Sequence, residues 1–126
     1  MNLNADIGEG AGEDEAVLAC IDSANVACGV HAGSPSLTIA TARRCKALGI
    51  QVGAHPGYDD RAGFGRIERS LAADEIEALI AYQVAALAAV APIAYISRTV
   101  RCTTAASGTR RRQMAWPGSR RPLASA

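Results

Sequence analysis

Along residues 1–96, short apolar segments alternate with longer amphipathic ones, and this order constrains the fold more than any single motif. Residues 1–7, Asn25 to Val30, Ile50 to Ala54 and Ile93 to Ile96 read as strands. A short helix is expected from about Asp14, with Val17, Leu18 and Ile21 on its buried side. A second opens at Ser34-Pro35, an N-cap followed by a proline whose missing N–H the first helical turn does not use. Leu37, Thr41, Cys45 and Leu48 then recur at helical spacing until Gly49 stops the turn. A third helix, from about Ala72 to Val90, carries Ile76, Leu79, Ile80, Val84 and Leu87 as its apolar stripe. Asp74, Glu75 and Glu77 lie near its start, where the helix dipole favours acids, and Pro92 ends it. Strands separated by helices predict an α/β fold: a parallel sheet with right-handed crossovers, either a small open sheet or half of a barrel. In both, functional groups belong in the loops that follow the carboxyl ends of the strands.

Those loops carry the chemistry. Asn4 and Asp6 alternate along the first strand and so point to one side, either into a shared cavity or to cap the first turn. The two histidines occupy the same frame, G-x-H-x-G, as Gly29-Val30-His31-Ala32-Gly33 and Gly53-Ala54-His55-Pro56-Gly57. Flanking glycines let the backbone turn tightly and approach a ligand, which places His31 and His55 on one rim with Asp6. A histidine in a loop can also simply bond to backbone, but two in one frame after adjacent strands favour function. Imidazole transfers protons near neutrality or binds a metal through its neutral nitrogen. One carboxylate and two imidazoles, here Asp6, His31 and His55, suffice for a catalytic divalent ion with an open position. Glu9 reads equally as a second rim acid or an exposed loop charge. Tyr58-Asp59-Asp60-Arg61 and Phe64-Gly65-Arg66 read as solvated turn residues rather than substrate contacts. The loop from Gly8 to Gly12 resembles a phosphate cradle but lacks the Lys-Ser/Thr of a P-loop.

Composition narrows the classes. At 126 residues and 49% hydrophobic content, the chain can build one core. The apolar Ile76 to Ile96 stretch is broken by Glu77, Gln83 and Pro92, so no membrane span is expected. Asp6 and Glu9 stand where a signal peptide would be basic and then apolar, so a cytoplasmic location is expected. Cys20, Cys28, Cys45 and Cys102 form no C-x-x-C pair, which predicts reduced thiols. Residues 1–96 hold all 12 acids and only 6 of the 13 basic residues, whereas residues 97–126 hold seven Arg and no Lys, Asp or Glu.

Four motifs, N-L-N-A-D-I-G-E (Asn2 to Glu9), S-A-N-V-A-C-G-V-H-A-G (Ser23 to Gly33), G-A-H-P (Gly53 to Pro56) and F-G-R (Phe64 to Arg66), resemble the LamB/YcsF family, in order and in register over residues 1–96. The resemblance implies a TIM-like α/β barrel related to glycoside hydrolases and polysaccharide deacetylases. It implies a part in opening the lactam of 5-oxo-L-proline to L-glutamate with ATP hydrolysis, alongside partner subunits B and C. Asp6, His31 and His55 match the family's motif positions and are the implied catalytic residues. The alternatives are a metal-dependent, deacetylase-like hydrolase and an inactive fragment or scaffold.

Beyond Ile96 the resemblance implies a K-P-H-G-A-L-Y-N motif, yet the chain reads Ser97 to Thr104 as S-R-T-V-R-C-T-T. Those residues can be encoded AGC CGC ACG GTG CGC TGT ACA ACN; one A placed in front gives AAG CCG CAC GGT GCG CTG TAC AAC, which encodes the absent motif. Residues 97–126 are therefore expected to be an out-of-frame, disordered tail behind the N-terminal half of a barrel-like catalytic domain at residues 1–96. Arg98, Arg101, Arg110 to Arg112, Arg120 and Arg121 could otherwise form a nucleic-acid arm, but the frame change already accounts for their composition, and no nucleic-acid partner is expected.

Overall fold

Each strand of the sheet hydrogen-bonds to the strand that follows it in the chain. This computed structural model of the protein describes residues 1–63 and 71–97. In order these form β1 (Asn4–Ile7), α1 (Asp14–Leu18), β2 (Ser23–Ala27), α2 (Pro35–Ala47), β3 (Gln51–His55), α3 (Ala73–Ala88) and β4 (Tyr95–Ile96). The expectations for Phe64 to Arg66 and for residues 98–126 lie outside the described residues. All strand pairs are parallel and the order is β1-β2-β3-β4. The order never reverses, so right-handed crossovers keep the helices on one face, the winding of a barrel rather than of a doubly wound sheet. Three strand–helix units and a fourth strand make part of a barrel-like arrangement.

Alternation along the strands divides the sheet between two tasks. Ile7, Ala24, Val26, Val52 and Ala54 face the helices and pack with Ala42 and Cys45 of α2 and Val84 and Leu87 of α3 in one apolar cluster. Burying a side chain such as Leu87 contributes about 2 kcal/mol. On α2 the buried residues are Thr38, Thr41, Ala42 and Cys45; Leu48, expected on the stripe, is exposed because the helix ends at Ala47. Ser34 caps α2 as expected, its Oγ accepting the Leu37 N–H at 3.1 Å. At the start of α3, the Glu75 carboxylate accepts the Ala72 N–H at 3.2 Å. Among the described residues, no helix is long and apolar enough to cross a membrane.

The largest shift from the expected boundaries is in β2, which runs from Ser23 to Ala27 rather than from Asn25 to Val30. It lies between β1 and β3, and all five of its residues are buried. Ser23 and Asn25 are polar and so unusual in a buried strand, but the fold satisfies both: Ser23 Oγ donates to Asn2 Oδ1 at 2.6 Å, and Asn25 is bonded on both sides. The chain leaves the sheet after Ala27 and turns at Gly29, whose φ of +80° suits glycine.

Candidate active site

The site is built on the face of the sheet opposite the helices. One residue from each strand lies in a single row across it: Asp6, Asn25, Gly53 and Tyr95 are consecutive register partners. A side chain at position 53 would collide with the Tyr95 ring, so glycine there lets the ring cross β3. The Tyr95 hydroxyl then donates to Asn25 Oδ1 at 2.6 Å, and Asn25 Nδ2 donates to Asp6 Oδ1 at 3.0 Å. Because Tyr95 occupies the amide oxygen, the amide nitrogen is left facing Asp6. The network aims Asp6 Oδ2 at the end of β3, where it lies 3.7 Å from His55 Nε2.

His55, the last residue of β3, shares this face two positions beyond Gly53. His31 arrives differently, four residues beyond β2 in the loop leading to α2. Its ring meets that of His55 edge to face, with centroids 5.2 Å apart and planes at 76°. Glu9, from the loop after β1, completes the group: its Oε1 is 3.7 Å from His31 Nε2 and 3.6 Å from His55 Nε2. These separations exceed hydrogen-bond length, so charge and position rather than shared hydrogens relate the three groups. His31 is 1% exposed, and neither ring nitrogen has a hydrogen-bond partner among the described residues. Burial pushes His31 below its ordinary range and the neighbouring His55 adds to this, against the opposing pull of Glu9 and Asp6.

Structure and sequence agree on the rim and differ on its membership. Asp6, His31 and His55 do converge at the carboxyl end of the sheet. The tight group of mutually close donors, however, is Glu9, His31 and His55, whose ligand atoms all lie within 4.8 Å of one another. Those three can hold a divalent ion, with Asp6 beside His55. Asn4, on the same face of β1 by alternation, is exposed. The two G-x-H-x-G frames look alike but serve different ends. Gly29 and Gly33 have positive φ and turn the chain, whereas Gly53 and Gly57 are needed for close approach, since a Cβ at Gly57 would strike the His31 ring at 2.5 Å.

The loop after β3 is only in part the solvated turn its charges suggest, for Asp59 and Arg61 are exposed. Tyr58 and Asp60 are buried, and Asp60 Oδ1 accepts the Gly63 N–H at 3.1 Å. Arg61 reaches back to the His31 loop, donating to Gly33 O at 2.8 Å and to Gly29 O at 2.6 Å. From beneath, Gln83 of α3 accepts the Gly57 N–H at 3.0 Å and donates to Gly57 O at 2.8 Å. In the glycine-rich loop, the Gly8 N–H donates to Asp14 Oδ2 at 3.0 Å, so that amide is already bonded to an acid.

Comparison with known proteins matches this arrangement to a family. The LamB/YcsF family profile covers residues 1–100. The 5-oxoprolinase A-subunit 1 of Pseudomonas syringae pv. tomato is 50% identical over 99 residues, which are 75% of this chain and 39% of that protein. The 5-oxoprolinase A-subunit of Chloroflexus aurantiacus is 48% identical over 96 residues, 72% of this chain and 38% of that protein. The crystal structure of the lactam utilization protein from Thermus thermophilus superposes with a TM-score of 0.71 at 39% identity, over 78% of this chain and 44% of that one. The chain spans about two fifths of the length of the curated relatives it matches. With the motif residues converging in space and the match extending across both histidine frames, the chain belongs to the LamB/YcsF family.

Proposed function

We propose that this chain supplies the carboxylate and imidazole rim of an ATP-dependent 5-oxoprolinase, acting with partner subunits B and C to open 5-oxo-L-proline to L-glutamate. The observation that carries the reading is the convergence of Asp6, Glu9, His31 and His55 on one sheet end, in a chain whose relatives are named as the A-subunit of that enzyme. An unstrained lactam is a poor electrophile. Transfer of a phosphoryl group from ATP to its oxygen makes the ring carbon reactive; water then adds there, the C–N bond breaks to leave an acyl phosphate, and a second water cleaves that to the carboxylate and inorganic phosphate. Asp6, held by Asn25 with Oδ2 free of that bond, is placed to accept the proton from water, and His55, 3.7 Å from that oxygen, is placed to relay it to the ring nitrogen.

The same reading treats residues 1–96 as the first half of a TIM-like barrel of the glycoside hydrolase and deacetylase kind, with residues 97–126 out of frame after loss of one nucleotide. Sequencing the Ile96–Ser97 junction in the source genome tests the frame; an in-frame read through Ser97 with a functional product of this length would refute it. The reaction is tested by coexpression with subunits B and C, following glutamate formed from 5-oxoproline. The frame-restored chain is expected to be active, its Asp6→Asn variant to lose on the order of 100-fold in kcat, and the 126-residue chain to be silent. An Asp6→Asn variant as fast as its parent would remove the assigned role. The imidazole pair beside Glu9 favours a second reading, a deacetylase-like hydrolase, which ATP-independent release of acetate from acetylated sugars would support.

A further inference from the structure

The geometry points to a binding site for one divalent transition-metal ion formed by Glu9, His31 and His55, with Asp6 outside the ligand set. Two donors each about 2.1 Å from one ion at a tetrahedral angle are about 3.4 Å apart. Glu9 Oε1 is 3.6 Å from His55 Nε2 and 3.7 Å from His31 Nε2, close to that separation, and all three ligand atoms lie within 4.8 Å of one another, so closing in of the two imidazoles brings the three onto a shared ion. An independent observation comes from His31. A buried histidine that serves only packing pairs its nitrogens with backbone or side chains, because each buried polar atom left alone costs about 1–3 kcal/mol. His31 is 1% exposed with both nitrogens unpartnered among the described residues, and the one facing Glu9 is the nitrogen an ion would take. Its position is held from several sides: the absent side chain of Gly57 leaves room for the ring, and Arg61 holds the carbonyls of Gly29 and Gly33 on either side.

The donors select the class of ion. Two imidazoles and one carboxylate suit zinc, cobalt or another borderline metal, whereas magnesium and calcium prefer oxygen throughout. Three protein ligands leave a fourth position open, the mark of a site that presents the ion to a ligand rather than burying it for structure. Asp6 does not join because, although its Oδ2 is 3.7 Å from His55 Nε2, it falls outside the group of donors that all lie within 4.8 Å of one another, and Asn25, fixed by Tyr95, anchors its Oδ1. The site does not depend on the lactam reaction, and its test needs no turnover.

The 126-residue chain, stripped with chelator, is titrated with cobalt(II) and followed by visible absorption and calorimetry, with zinc as competitor. The expected result is one saturable ion per chain, displaced by zinc, without the near-ultraviolet band of a thiolate ligand. Glu9→Gln, a change on a partly exposed loop, and His31→Asn should each weaken binding on the order of 100-fold or more, since even outer partners of a metal site cost up to about that much. Asp6→Asn should cost about tenfold, the lower end for a group beside the ligands, and far-ultraviolet circular dichroism confirms that each variant is folded. Absence of saturable binding, a thiolate band, unchanged affinity in folded Glu9→Gln, or an Asp6→Asn loss equal to that of Glu9→Gln would each overturn the assignment.

Discussion

Cys28 follows β2 directly, half-buried, with its Sγ–H donating to the Val26 carbonyl at 3.6 Å. Burial pushes its thiol up to about 11, although a backbone hydrogen bond at His55 pulls the other way. The thiolate is the reactive form, so at about pH 8 an alkylating reagent should modify exposed Cys20 well before Cys28. Mass spectrometry of timed samples measures this, and equal rates would contradict the burial. The same shift carries a sign for stability. The folded state favours the protonated thiol and the unfolded chain releases it near 8.5, so the contribution is complete below about pH 8.5 and is lost as pH rises toward 11. A Cys28→Ser variant should show a shallower loss over that alkaline window in denaturant titrations.

Among the elements, α3 reaches the site through the side chain of Gln83. Gln83 is 1% exposed and spends its amide on both backbone groups of Gly57 and on Leu79 O. Gln83→Ala is expected to destabilise the fold by about 1–3 kcal/mol and to raise hydrogen exchange at the Gly57 amide selectively; unchanged exchange there would mean the loop holds itself. Much of this architecture is legible in the sequence. Ser34-Pro35 announces α2 because capping is local chemistry, and the parallel sheet follows from the alternation of strands and helices, although its order does not. The histidine frames and Asp6 locate the rim. What escapes are groups whose partners are distant in sequence. Gln83 looks like a break in an apolar stripe, Asn25 like a polar intrusion in a strand, and Tyr95 like a strand residue. Glu9 cannot be distinguished from a loop charge until the fold sets it between two imidazoles. Asn25 does leave a signal: an amide in an otherwise apolar buried run implies a partner in the fold.

For the whole molecule, the sheet has two open sides among the described residues. β1 pairs only with β2 and β4 only with β3, while Leu3 and Ile96 remain 49% and 45% exposed nearby. Unpaired strand edges with apolar neighbours recruit other chains. Sedimentation velocity should therefore show average mass rising with concentration over the micromolar range, and Ile96→Lys should lower it. A strict monomer at every concentration would show that the edges are already covered.

The row of side chains running from Asp6 to Tyr95 draws one member from every strand, and a strand's two faces exchange with each single-residue slip. A misaligned β2 would turn Asn25 into the oily layer beneath, and the carboxylate would lose its anchor. Any chemistry measured at this rim therefore doubles as proofreading of strand alignment: only molecules whose four strands have docked in the correct phase can display it.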